Sequence, residues 1–298
     1  MIHKFKGTGT AIVTPFHKEG NIDFKSFQHL IDYQINNGVN YLVFLGTTGE
    51  SVTLSPDEKN AIIHFAVEMV DKRVPVVIGI GGNNTRAITS TIHQTSFEGV
   101  DAILSVSPYY NKPQPRGLFY HYKEVASASP VPVIIYNVPG RTGSNIHADT
   151  TLQIAHDIPD VIGVKEASKD LEQIGRIIKD KPDDFLVISG TDELTLPFMA
   201  LGGDGVISVI ANAFPAEFSE MVRLCMNNEY QKAREIHLYL LDIVQAIYED
   251  GSPSGVKAVL FMKGFCKNAL RLPLVKINKS LHNRISNILE AMERSSLS

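Results

Sequence analysis

The stretch Val161–Asp170 reads VIGVKEASKD, and the fold of the whole chain can be argued outward from it. Val161 to Val164 are apolar and largely β-branched, the composition of a strand buried on both faces. The run then ends in Lys165, a group that is costly to bury. Glu166 follows, but neighbouring residues of a strand point to opposite faces, so the two charges need not meet. A lysine at the end of a buried strand has two readings: a structural ion pair, or a nucleophile that forms a Schiff base with a carbonyl compound.

Seven runs of the same kind accompany it: GTAIVTPF (9–16), YLVFLG (41–46), VPVVIGI (74–80), AILSVS (102–107), VPVIIYN (131–137), FLVISG (185–190) and GVISVI (205–210). Each is nearly continuously apolar, as parallel strands are when helices cover them. The segments between have helical period. In FKSFQHLIDYQINNG, Phe24, Phe27, Leu30, Ile31 and Ile35 share one stripe, and Gly38 is a stop signal. In SPDEKNAIIHFAVEMV, Ser55 and Glu58 form a capping box, with Pro56 at the first helical position.

Eight such units predict an α/β fold, a closed (β/α)8 TIM barrel rather than an open doubly wound sheet, because the count matches and the span is near the ~250 residues usual for that fold. The barrel is expected over 1–228. Three further segments, EYQKAREIHLYLLDIVQAIYED, SGVKAVLFMKGF and INKSLHNRISNILEAMERS, predict a C-terminal helical extension over 229–298, packed on the barrel.

The chain has 298 residues, enough for a substantial core, and a formal net charge of −4. Its Lys and Arg are scattered, which argues against a nucleic-acid or anionic-membrane partner. The N-terminal MIHKFKGTGT has no apolar signal region, and no run approaches the ~18 apolar residues of a membrane helix, so a cytoplasmic protein is expected. Cys225 and Cys266 lack the paired spacing of a zinc site or a disulfide framework and read as reduced core thiols.

Ligands of such barrels bind at the C-terminal ends of the strands. There the sequence is polar and glycine-rich: GTTGES (46–51), GGNNT (81–85), SPYYNKP (107–113), YNVPGRTG (136–143), Lys165 and SGTDE (189–193). GTTGES lacks the ending of a Walker A loop. Its threonines and freed backbone N–H groups suit a carboxylate, or else merely satisfy a glycine-rich turn. GIGGNN lacks the third glycine and the acidic partner of a dinucleotide fingerprint.

Tyr136 closes the strand beside that of Lys165. It is either a core aromatic or a proton shuttle for carbinolamine chemistry. Tyr109 and Tyr110 add two phenols, and Arg141 offers a planar fork for a carboxylate, unless it is simply solvated. For Lys165 to act as a nucleophile its pKa must fall. At the ordinary value near 10.4, only about one amine in two thousand is free at pH 7, and burial in a dry barrel mouth would relieve this.

Taken together, GTTGES, SPYYNKP, YNVPGRTG, GVKEAS, SGTDE and GGDGVISVIAN resemble the dihydrodipicolinate synthase family of pyruvate-dependent class I aldolases, over essentially the whole chain. The resemblance implies condensation of pyruvate with L-aspartate 4-semialdehyde in diaminopimelate and lysine biosynthesis, with no metal or organic cofactor. Lys165 matches the Schiff-base lysine and Tyr136 the proton donor and acceptor, with Thr47 and Tyr110 as relay partners. Thr48 and Ile207 match positions that contact pyruvate, and Arg141 the arginine that holds the semialdehyde carboxylate.

A homodimer or homotetramer is implied, in which the tyrosine matched by Tyr110 enters the neighbouring subunit's site. The alternatives are an N-acetylneuraminate lyase or 2-keto-3-deoxy sugar acid aldolase, against which Arg141 argues, and a catalytically silent keto-acid-binding barrel. One departure concerns regulation. Members inhibited by lysine bind it at the dimer interface, and Ser51, Asn83 and Tyr109 keep that pattern. The glutamate that would receive the ligand's ammonium is replaced by Ala87, and two histidine positions by Pro56 and Lys59, which implies insensitivity to lysine.

Overall fold

The computed structural model describes residues 2–296. Eight parallel strands, β1 (Gly7–Ala11), β2 (Tyr41–Phe44), β3 (Val76–Gly79), β4 (Ala102–Val106), β5 (Val133–Asn137), β6 (Val161–Glu166), β7 (Leu186–Ser189) and β8 (Gly205–Ser208), pair in sequence order. β8 closes the barrel on β1 through Gly7↔Gly205 to Thr10↔Ser208. The expected (β/α)8 fold is the one observed.

Two cores explain why the strands are mostly apolar on both faces. Tyr41, Val43, Val77, Leu104, Ile134, Leu186, Ile188 and Ile207 fill the barrel interior. Their strand neighbours Leu42, Phe44, Val76, Ile78, Ile103, Val133, Ile135, Val187 and Val206 face outward onto the helices. Both faces are dry, so both are mainly apolar.

The helices begin and end where the caps dictate. Asp23 accepts from the Ser26 N–H at 3.0 Å and starts the helix Phe24–Asn36, which buries Phe27, Leu30 and Ile31. The helix Pro56–Val70 carries the full capping box: the Glu58 N–H donates to Ser55 Oγ at 3.2 Å, and the Ser55 N–H to Glu58 Oε2 at 2.9 Å.

The first strand differs from the sequence expectation of 9–16. Its ladder occupies Gly7–Ala11, after which the Val13 N–H donates to the Asn212 side chain at 3.0 Å instead of to a neighbouring strand. Gly9 and Ala11 of β1 face the interior, where the ring of Tyr41 fills the space beside Gly9; at Gly7 a Cβ would meet the Asn40 side chain instead. A strand whose interior residues are as small as Gly9 and Ala11 gives no apolar period to read.

After the helix Pro215–Met226 come the helices Tyr230–Glu249, Ser254–Met262 and Lys279–Ser296. Leu240, Ile243, Val244 and Ile247 of the first join the outer core, and every residue from Ser254 to Leu260 is buried. Cys225 and Cys266 are buried free thiols. Among the described residues, no helix is long and apolar enough to cross a membrane.

Candidate active site

The direction of Lys165 is set by an irregularity in β6. Val133 pairs with Val161, but Ile134 pairs with Gly163, so the register slips by one residue and Ile162 has no partner on β5. Downstream, Tyr136 stands opposite Lys165 and Asn137 opposite Glu166. Paired residues share a face, and Tyr136 faces the interior, so Lys165 does too. With regular pairing Val164 would stand there, and Lys165 would point out at the helices, because a one-residue slip turns every side chain over. Gly163 permits the bulge: a Cβ there would lie 2.8 Å from the Leu186 carbonyl oxygen.

Lys165 is 5% exposed, and its Nζ lies 4.3 Å from the centroid of the Tyr136 ring. Gly190, just after β7, leaves room for the stem; a Cβ there would stand 3.1 Å from Lys165 Cε. The Lys165 ammonium has no ion pair among the described residues. Burial lowers its pKa to about 8, with Asp192 acting in the opposite direction and Arg141 adding to the fall. Roughly one amine in ten is then free at pH 7, a gain of more than a hundredfold over an exposed lysine. Burial raises the Tyr136 phenol to about 12, against a smaller lowering by Arg141.

Glu166 cannot neutralise Lys165. It is buried on the outer face, where it accepts from Asn137 Nδ2 at 3.0 Å, the Ser168 N–H at 2.7 Å and Gln173 Nε2 at 3.2 Å. Asp192 is nearer the interior, yet it too is occupied. Its Oδ2 accepts from the Val209 N–H at 3.1 Å, the Ile210 N–H at 2.9 Å and the Tyr248 hydroxyl at 2.8 Å.

The remaining residues approach the same rim. Arg141, on the turn Pro139–Thr142 after β5, donates from Nη2 to the Ser252 carbonyl at 3.3 Å. Thr47 and Thr48 lie on the loop after β2. The Gly49 N–H closes on Gly46 O and the Glu50 N–H on Thr47 O, each at 3.1 Å, while Thr14 Oγ1 donates to Gly49 O at 2.7 Å. Thr48 is buried and Thr47 exposed. Ile207, on β8, is buried in the interior.

Tyr110 is set apart. Its N–H donates to Thr142 O at 3.4 Å, its φ is +72°, and its side chain is 88% exposed, whereas Lys165 is buried. The structure therefore brings Lys165, Tyr136 and Arg141 together and sets Thr47, Thr48 and Ile207 on the same barrel end. Within a single chain Tyr110 stays exposed to solvent.

A buried, unpaired lysine level with a tyrosine on the next strand is the geometry of a Schiff-base barrel, and the comparison of sequences makes the relationship specific. Residues 4–292 match the Dihydrodipicolinate synthetase family. The chain belongs to that family. It is 49% identical over 287 residues to a 4-hydroxy-tetrahydrodipicolinate synthase of Parabacteroides distasonis, covering 96% of this chain and 97% of the relative. The crystal structure of dihydrodipicolinate synthase from Thermotoga maritima superposes with a TM-score of 0.95 at 40% identity, covering 98% of this chain and 99% of that one. A synthase from Cyanidioschyzon merolae with lysine bound superposes with a TM-score of 0.94 at 34% identity, covering 98% of this chain and 99% of that one.

Family motifs alone do not single out three residues that shape this site: Asp192, Tyr248 and Ser252. Asp192 was visible only as part of a polar strand end. Tyr248 and Ser252 belong to the extension, and the bonds that carry them to the mouth span 56 and 111 residues. No local pattern marks such pairings.

Proposed function

We propose that this chain condenses pyruvate with L-aspartate 4-semialdehyde, with pyruvate held as a Schiff base on Lys165. The observation that carries the reading is the Lys165 amine, buried on the interior face, free of any carboxylate partner and level with Tyr136. The neutral amine attacks the pyruvate ketone. Tyr136, protonated at neutral pH because its pKa lies near 12, donates to the carbinolamine hydroxyl, which leaves as water. Loss of a methyl proton gives the enamine, which adds to the aldehyde. The substrate amine then displaces Lys165 as the ring closes. The iminium is the electron sink, so the scheme uses no metal or organic cofactor.

In this reading Thr47 and Tyr110 relay protons to and from Tyr136, Thr48 and Ile207 flank pyruvate, and Arg141 holds the semialdehyde carboxylate. Asp192 and the Tyr136 ring both favour the cationic iminium. We assign the chemistry to 1–228, with 229–298 as a packed extension, in a cytoplasmic homodimer or homotetramer. Exposed Tyr110 is assigned to the neighbouring subunit's site. Mixing Tyr110→Phe with Lys165→Ala, each inactive alone, should restore activity through hybrids with one whole site; no recovery after verified subunit exchange would remove the shared site.

Purified protein supplied with pyruvate and L-aspartate 4-semialdehyde in a coupled assay should turn over, and should leave N-acetylneuraminate untouched. Cleavage of the sugar acid without condensation would replace this reading with the lyase.

A further inference from the structure

We propose that Lys257 and Glu50 form a positioning clamp through which the C-terminal extension fixes the loop carrying Thr47 and Thr48. The proposal deepens the reading above and rests on those threonines serving the pyruvate end of the site. Glu50 lies two residues beyond Thr48, and its N–H closes the turn on the Thr47 carbonyl. Its φ of +52° is unusual for a residue with a side chain, so something outside the turn must hold it.

The Glu50 side chain leaves the mouth and is wholly buried between barrel and extension, as is that of Lys257. One carboxylate oxygen meets the Lys257 ammonium, and the other accepts the Arg271 N–H at 3.0 Å. Lys257 also donates to Ala269 O at 3.0 Å and lies 4.3 Å from the Phe16 ring centroid. Arg271 secures the far side of the same loop, donating to Thr53 O at 2.8 Å and to Glu58 Oε2 at 2.8 Å. The segment after β2 is thus held on both flanks by residues 257–271.

A buried ion pair is poor evidence for stability as such, since a well-packed apolar pair of similar volume often does as well or better. What an apolar pair cannot supply is a directed bond from the extension to one residue of a catalytic loop. Lys257 and Glu50 touch no substrate in this scheme; they act through Thr47 and Thr48.

The test uses the full-length protein with Lys257→Met, Glu50→Gln, Lys257→Arg and the double variant Glu50→Gln/Lys257→Met. The double variant removes the unpaired buried charge that would threaten folding, yet leaves the clamp absent. Folding is followed by circular dichroism and assembly by sedimentation. The clamp predicts that folded single and double variants need about tenfold more pyruvate for half-saturation, both in turnover and in borohydride trapping without semialdehyde, with a reduced kcat. The KM for the semialdehyde should stay within about twofold, and Lys257→Arg should recover part of the pyruvate affinity.

Folded variants with unchanged pyruvate half-saturation would overturn the clamp. So would a fall in kcat with both KM values unchanged, which signals fewer active molecules, or a double variant that cannot be recovered folded, which assigns the pair to stability. Failure of the wild-type protein to form any pyruvate adduct would instead sink the underlying reading of the site.

Discussion

Lys165 and Lys257 are alike in almost every local respect. Both are buried, and each holds its Nζ 4.3 Å from the centroid of an aromatic ring, Tyr136 in one case and Phe16 in the other. They differ in their carboxylates. Lys257 meets Glu50 directly, whereas Glu166 is turned to the far side of the sheet and Asp192 is occupied by two backbone N–H groups and Tyr248. Burial depresses both lysines, but only for Lys257 does a carboxylate in contact work against it. A buried lysine thus becomes a nucleophile or a fastener according to where the nearest carboxylates are bound.

Substitutions can break or sharpen this contrast. The largest effect is expected from Lys165→Ala, which should lower kcat by at least about a thousandfold and leave the melting temperature near that of the wild type. Comparable activity would make the two lysines equivalent after all. Next comes Gly163→Val. Its side chain has no room against Leu186, so the bulge must shift and Lys165 loses its inward aim. We expect imine formation to slow by about a hundredfold, since misplacement of about 1 Å costs that much; a wild-type rate would show that the bulge does not set the direction.

Arg141→Ala should raise the KM for the semialdehyde by the equivalent of about 1.5–3 kcal/mol and leave that for pyruvate nearly unchanged. Equal effects on both substrates would contradict its assigned role. Arg141→Ala should also move the pH profile. Imine formation needs the free amine, so its rate rises with pH through about 8 and then levels. Arg141 lowers the Lys165 pKa and Asp192 raises it, so Arg141→Ala should displace the midpoint to higher pH and Asp192→Asn to lower pH. Shifts of the opposite sign would refute the electrostatic account.

The smallest expected effect is none. With Ala87 where a carboxylate would receive an ammonium, an interaction worth up to about 4 kcal/mol at an effective dielectric near 20 is missing. Activity titrated with L-lysine should stay flat through the millimolar range; half-inhibition below about 1 mM would mean that other residues replace the carboxylate.

The parts of the molecule that were legible in the sequence are those with local causes. The strand rhythm could be read because both faces of β2 to β8 are dry, and the start of Pro56–Val70 because Ser55 and Glu58 cap each other within one turn. β1 is displaced from the sequence expectation because its interior residues, Gly9 and Ala11, are too small to mark a period. The lysine and tyrosine could be named, but their common level depends on the slip at Ile162, whose only trace is a lone glycine inside an apolar strand. Glu50 with Lys257, Asp192 with Tyr248 and Arg141 with Ser252 were not legible, since pairs 207, 56 and 111 residues apart leave no period.

The central claim is that the free buried lysine, and not the paired one, carries the chemistry. Borohydride reduction in the presence of pyruvate, followed by peptide mapping, tests it most directly, because it converts an imine into a stable adduct and leaves a free amine unchanged. The adduct should appear on Lys165 alone and vanish in Lys165→Ala. A label on Lys257, Lys169 or Lys112, or an adduct that survives the substitution, would contradict it.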